Sequence, residues 1–196
     1  EVAEDHDIWG IDDITYRDFA PNHTLAADLL PEKTITAYSV SKNCGLAGMR
    51  VGSLVGPKDF ISDIRGTMVS DLGINVIGQR ASIAALKTKP EWLPGLVKTA
   101  LHNQSLIKAA VDKIDGVELP VYPSAASMMV IDISRHNANP QDVQDKLLYK
   151  YDIFVRAGNY VSARFGDNFI RVSFSIPTLE VERFVNAFPK VMAELS

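Results

Sequence analysis

Lys42 sits in the stretch Ser39-Val40-Ser41-Lys42-Asn43-Cys44-Gly45-Leu46-Ala47-Gly48-Met49-Arg50-Val51-Gly52, whose side chains can act on one ligand. A hydroxyl, Ser39, lies three residues before the amine, and a guanidinium, Arg50, lies eight after it. Glycines let the backbone fold tightly between them. An amine condenses with an aldehyde, while a hydroxyl and a guanidinium donate to phosphate oxygens. The set therefore suits a phosphorylated aldehyde. A lone lysine would carry no such meaning, because surface lysines and arginines around a glycine turn are common.

Two other stretches carry chemistry. Asp12 and Asp13 close an apolar run and are followed by Tyr16, which places carboxylates and a phenol at one strand end. Arg171 lies in Phe169-Ile170-Arg171-Val172-Ser173-Phe174-Ser175. Its guanidinium fork can bind a carboxylate bidentately, where a lysine would not.

The elements that must position these groups follow from patterning. Residues 2–6 read as the last turn of a helix, and residues 8–11 as a buried strand that delivers Asp12 and Asp13 at its end. Residues 21–33 read as a loop. Residues 34–40 are rich in β-branched and aromatic side chains and read as the strand leading to Lys42. A second strand, 51–55, ends at Gly56-Pro57, and Pro57 opens a helix to about residue 68. Helices are expected over 76–87 and 90–114, then strands over 117–119 and 128–133. Asn139 as N-cap and Pro140 at the first helical position open a helix to Lys150. Strands over 153–155 and 168–175 precede a last helix, opened by Pro177-Thr178, with one apolar stripe. The second half thus reads as a small α/β layer domain with its own core. The first half reads as one side of a larger, mostly parallel sheet whose other side lies upstream.

Composition bounds the rest. The 196 residues are 46% hydrophobic and carry a net charge of -4, which gives no general attraction to nucleic acid or anionic membranes. No apolar run is long enough to span a bilayer. The acidic start lacks a signal peptide's basic and apolar parts. The one cysteine, Cys44, fits a reducing, cytoplasmic setting, and four histidines show no metal-ligand spacing. Beside Lys42, Cys44 reads as a packing residue rather than a nucleophile. Arg156 and Arg164 read as solvated loop arginines.

The stretch around Lys42 resembles the cofactor-attachment motif of the class I/II, fold type I aminotransferases that use pyridoxal 5'-phosphate (PLP), of which aspartate aminotransferase is an example. Every restricted position of that pattern is met. The resemblance implies that Lys42 is the catalytic lysine linked to PLP and that Ser39 and Arg50 bind its phosphate. Asp13-Ile14-Thr15-Tyr16 is similar to the family's Asp-x-x-Tyr, which pairs the aspartate with the pyridine nitrogen and the tyrosine with the phenolic oxygen. Asp12 is adjacent, and the spacing to Tyr16 favours Asp13. Arg171 resembles the arginine that grips the substrate α-carboxylate.

The resemblance implies transfer of an amino group between an amino acid and a 2-oxo acid, in a homodimer of the full-length protein. It divides the chain into a remnant of the PLP-binding large domain (1–75), connecting helices (76–115) and a complete small C-terminal domain (116–196). Members are roughly double this length, so the chain is expected to be a fragment, inactive alone. Two alternatives share the framework: another fold type I enzyme, such as a C–S lyase or decarboxylase, and the aminotransferase-like sensing domain of a transcription regulator. A third is a fragment that folds without cofactor. The substrate amino acid is left open.

Overall fold

The computed structural model describes residues 2–20, 22–68 and 73–196. Pro21, where the expected loop begins, and Glu1 lie outside the described residues. The chain forms two compact units, Glu1–Pro94 and Gly95–Ser196. The break falls inside the stretch read as connecting helices.

The first unit begins with helix α1 (Val2–Asp5) and strand β1 (Gly10–Asp13). The strand starts two residues later than patterning suggests. Ile8 donates its N–H to Ala3 O at 2.9 Å and Asp7 adopts φ 55°, so the chain here is closing the helix rather than entering a ladder. The expected loop over 21–33 contains a short helix, α2 (Ala26–Leu29), and a 3-10 turn (Pro31–Lys33). Asp12 explains the helix: its Oδ2 accepts from Ala26 N at 2.9 Å, satisfying a donor at the helix start that the local sequence leaves open.

Strand β2 (Thr34–Ser39) pairs parallel to β1, with Asp13 opposite Ala37. It pairs antiparallel to β3 (Gly52–Val55), with Ser39 opposite Gly52. The sheet, ordered β1-β2-β3, is therefore mixed. The segment between β2 and β3 is a turn too short for a crossover helix, and it returns the chain antiparallel. Helices α3 (Lys58–Thr67) and α4 (Val76–Lys87) follow. Phe60 of α3 stacks on Trp9 with centroids 4.4 Å apart. Among the described residues, the buried apolar side chains of this unit are Ile14, Ile35 and Val40. Ile11 is 77% exposed and Val55 63%, and every residue of β3 is exposed. The sheet has little to pack on.

Helix α5 (Lys89–Val111) spans the break between the units, with Pro94 inside it. In the second unit an antiparallel sheet is ordered β4-β6-β5, from β4 (Met128–Asp132), β5 (Arg156–Ala157) and β6 (Phe169–Ser173). Helices α6 (Pro140–Tyr151) and α7 (Thr178–Glu194) complete it. Met129, Ile131, Ile170 and Val172 alternate inward and are buried together with the α7 stripe Val181, Phe184, Phe188, Val191 and Met192. Asn139 caps α6 by accepting from Gln141 N at 2.8 Å. Asn103, fully buried, donates Nδ2 to Phe174 O and Ile176 O, both at 2.9 Å, and so fixes the chain beyond β6.

Two expected strands are corrected. Residues 117–119 make only an isolated bridge, Glu118 to Asp132, because Gly116 at φ 78° and Pro120 leave no room for a longer ladder. Residues 153–155 are not strand. Asp152 ends α6 in the left-handed region and Ile153 N–H turns back to Leu147 O at 3.1 Å, so pairing begins at Arg156. No helix among the described residues is long and apolar enough to cross a membrane.

Phe188 is completely buried in the second unit. Phe188→Ala is expected to destabilise that unit by about 3–5 kcal/mol, read from the denaturant midpoint of its unfolding. The exposed Tyr149→Ala is expected to stay within ~0.5 kcal/mol.

Candidate functional site

Strand alternation and register decide which groups meet. Asp13, Ala37 and Leu54 are cross-strand neighbours, and Ser39 and Gly52 continue the same face. Asp13 and Ser39 both line a cleft of about 470 Å³, closed on another side by Ile61, Ile64 and Arg65 of α3. Asp12 lies on the opposite face. It is engaged there by Ala26 N and by His23 Nε2 at 3.5 Å. Of the two neighbouring aspartates, only Asp13 shares a face with Ser39.

Asp13 is exposed, and its Oδ1 accepts from Thr15 N at 3.0 Å and from Thr15 Oγ1 at 2.5 Å. The Thr15 hydroxyl, then its amide, holds the carboxyl below its ordinary value, so it stays ionised and its second oxygen can accept a further proton donor. Ser39 Oγ accepts from Ser41 N at 3.1 Å, which leaves its own proton to donate. Tyr16 caps the 3-10 turn Arg17–Phe19 that follows.

Lys42 begins the loop after β2. Gly45 N donates to Lys42 O and Leu46 N to Val40 O, both at 3.3 Å, with Gly45 at φ 65°. These bonds close a compact turn that only a residue tolerant of the left-handed region makes cheaply. The Lys42 side chain is exposed and has no ion-pair partner among the described residues. Arg50, also at φ 55°, folds back so that Nη1 donates to Ala47 O at 2.9 Å. Asn75 steadies this turn from α4, donating Nδ2 to Met49 O at 2.9 Å. Gly78 allows the approach, since a Cβ there would meet Val51 Cγ2 at 2.9 Å. Lys42, Arg50 and Tyr16 do not line the cleft that Asp13 and Ser39 share.

Arg171 lies at the centre of β6 in the second unit, opposite Val130 and Arg156. It faces away from the core formed by Ile170 and Val172, is half-buried and has no ion-pair partner among the described residues. Arg156 stacks over Tyr160 at 3.8 Å, so it is less solvated than a loop arginine.

Patterning did not identify a polar cluster behind the lysine. Asn43 bonds the Asp18 carboxylate and the Tyr38 hydroxyl, and Lys89 pairs with Asp18 at 2.5 Å. Asn43 and Asp18 were visible beside the motifs, but Lys89 is distant in sequence and carried no signal. Cys44 adjoins this cluster, and burial raises its thiol's pKa, favouring the protonated form, the reverse of what a nucleophile requires.

Aminotransferase class I and II sequences match residues 1–188, and the chain belongs to that family. It is 24% identical to an aspartate aminotransferase of Pyrococcus horikoshii over 98% of this chain and 50% of that protein. In structure it resembles a PLP-dependent aminotransferase from Streptococcus suis 89-1591, with TM-score 0.84 and 18% identity over 100% of this chain and 51% of the other. It also resembles cystalysin from Treponema denticola, which contains pyridoxal 5'-phosphate, with TM-score 0.84 and 20% identity over 100% and 52%. The chain spans about half the length of the relatives it matches.

Thr15→Val removes the larger of the two bonds to Asp13. The Asp13 carboxyl is expected to titrate closer to its ordinary value in the variant than in the parent, read by carboxyl NMR. An unchanged midpoint would mean that Thr15 does not set it.

Proposed function

We propose that this chain is part of a PLP-dependent aminotransferase of about twice its length, which moves an amino group between an amino acid and a 2-oxo acid. The reading rests most on Asp13 and Ser39, which come from different strands and different motifs yet line one cleft. The donor set fits the cofactor: an ionised carboxylate for a ring N–H, a hydroxyl and a guanidinium for a phosphate, and an exposed amine for an aldehyde.

When bound, PLP supplies an aldehyde that links to amines and a ring that draws electrons from the substrate's Cα. The protein's part is then assigned residue by residue. Lys42 Nζ would hold the cofactor by its aldehyde and would move the proton at substrate Cα. Asp13 keeps a proton on the ring nitrogen by accepting a hydrogen bond from it, helped by the Thr15 bonds that keep Asp13 ionised. Tyr16 donates to the phenolic oxygen. Ser39 and Arg50 fix the phosphate, and Arg171 takes the substrate α-carboxylate as a bidentate pair.

On this reading residues 1–75 belong to a cofactor-binding large domain, 76–115 connect, and 116–196 form a small domain. The bare β3 and the exposed Ile11 of β1 are the surfaces that the remaining half of the polypeptide covers, in a homodimer. This chain alone is inactive. A C–S lyase, which would share the same lysine framework, is the second reading.

Product analysis separates the two. The full-length protein, given a 15N-labelled amino acid and an unlabelled 2-oxo acid, is expected to yield a 15N-labelled second amino acid in stoichiometric exchange. Ammonia release without exchange would favour the lyase. Arg171→Ala is expected to raise KM for the amino acid by about a hundredfold, the loss of a charge-assisted pair of ~3 kcal/mol, with Arg171→Lys recovering part of it.

A further inference from the structure

We propose that Asn43 and Asp18 are positioning residues whose bond ties the Lys42 loop to the segment that follows Asp13 and Tyr16, with Lys89 as counter-charge. The inference rests on Lys42 being the cofactor lysine, as proposed above.

The contrast between neighbours motivates it. Lys42 is exposed, while Asn43, the next residue, is 5% exposed, and the Asp18 side chain is 8% exposed. The Asn43 amide makes three hydrogen bonds. Nδ2 donates to Asp18 Oδ2 and to the Tyr38 hydroxyl, the latter at 3.2 Å, and Oδ1 accepts from Cys44 N at 3.0 Å. One side chain therefore ties the lysine loop to itself, to β2 and to the segment after β1.

Asp18 is the other anchor. It lies in the 3-10 turn that Tyr16 caps, two residues beyond that tyrosine. Its Oδ2 takes Asn43 and its Oδ1 takes Lys89 Nζ at 2.5 Å. A carboxylate this deeply buried is costly unless each oxygen is compensated, and here each one is. Lys89 also lies 6.0 Å from the Tyr38 ring centroid. Burial, its largest influence, keeps the Tyr38 phenol protonated.

Tyr38 and Ser39 are consecutive in β2 and both line the cleft. Asp18, Asn43 and Lys89 do not line the cleft with Asp13 and Ser39. They are not placed to touch a cofactor and act only by holding backbone at 16–18 and 42–44. The bond between them joins the segment carrying the acid and phenol to the segment carrying the amine. Displacements of about 1 Å in such constellations cost on the order of a hundredfold in rate, so the link has a functional reason to be rigid.

The test uses the full-length protein with PLP. Asn43→Ala is expected to speed cofactor release by about tenfold, to shift the pH midpoint of the bound cofactor's absorption band, and, in the apo protein, to raise amide exchange over residues 40–46. Asp18→Asn combined with Lys89→Met keeps an amide oxygen for Asn43 without the charge pair, and it is expected to stay within about threefold of the parent. Asp18→Ala with Lys89→Met is expected to behave like Asn43→Ala. If Asn43→Ala does not fold, the two double variants decide between bond and charge. Cofactor bound to Lys42 with release, pH midpoint and exchange all unchanged in Asn43→Ala would overturn this inference alone. Cofactor attached to another lysine in the unsubstituted protein would overturn the functional reading and this inference with it.

Discussion

The parallel pairing of β1 with β2 is the constraint on which the site depends. Its register puts Asp13 opposite Ala37, and alternation carries the same face on to Ser39 two residues later. A slip of one residue would turn Asp12 toward the cleft and send Asp13 to the reverse face, where α2 takes its capping oxygen from a β1 aspartate. The two adjacent acids are thus divided between structure and site by the pleat alone. The lysine loop then starts where β2 ends, so its origin is fixed by the same ladder.

The two units differ in how they are stabilised. The second buries a continuous set of apolar side chains from β4, β6 and α7. Among its described residues the first buries three and leaves one strand open along its whole length. Area removed from water is the main favourable contribution to folding. The first unit's sheet therefore draws its order from the ladder and from polar links such as Asn43–Asp18–Lys89. A unit with so little core is one that gains from a further layer, consistent with relatives of twice the length.

Much of this was legible beforehand. The helices over 76–87 and 140–151 and the strand after Lys33 follow from period, caps and β-branched runs. The errors are also physical. Residues 8–9 are apolar enough for a strand, yet the helix end before them consumes the Ile8 amide. Residues 153–155 form a short apolar run, yet the turn after α6 consumes the Ile153 amide. Backbone donors spent on closing helices are invisible to hydrophobicity. At the site, the Asp12/Asp13 choice needed the register. The Asn43 cluster needed Lys89, forty-six residues beyond, to come alongside Asp18.

Covalent trapping tests the central claim most directly. The full-length protein is incubated with PLP, reduced with borohydride and digested, and the modified peptide is sequenced by mass spectrometry. The account predicts a pyridoxyl group on Lys42, and no trapped cofactor in Lys42→Arg. Modification of a different lysine, or undiminished trapping in Lys42→Arg, would contradict it.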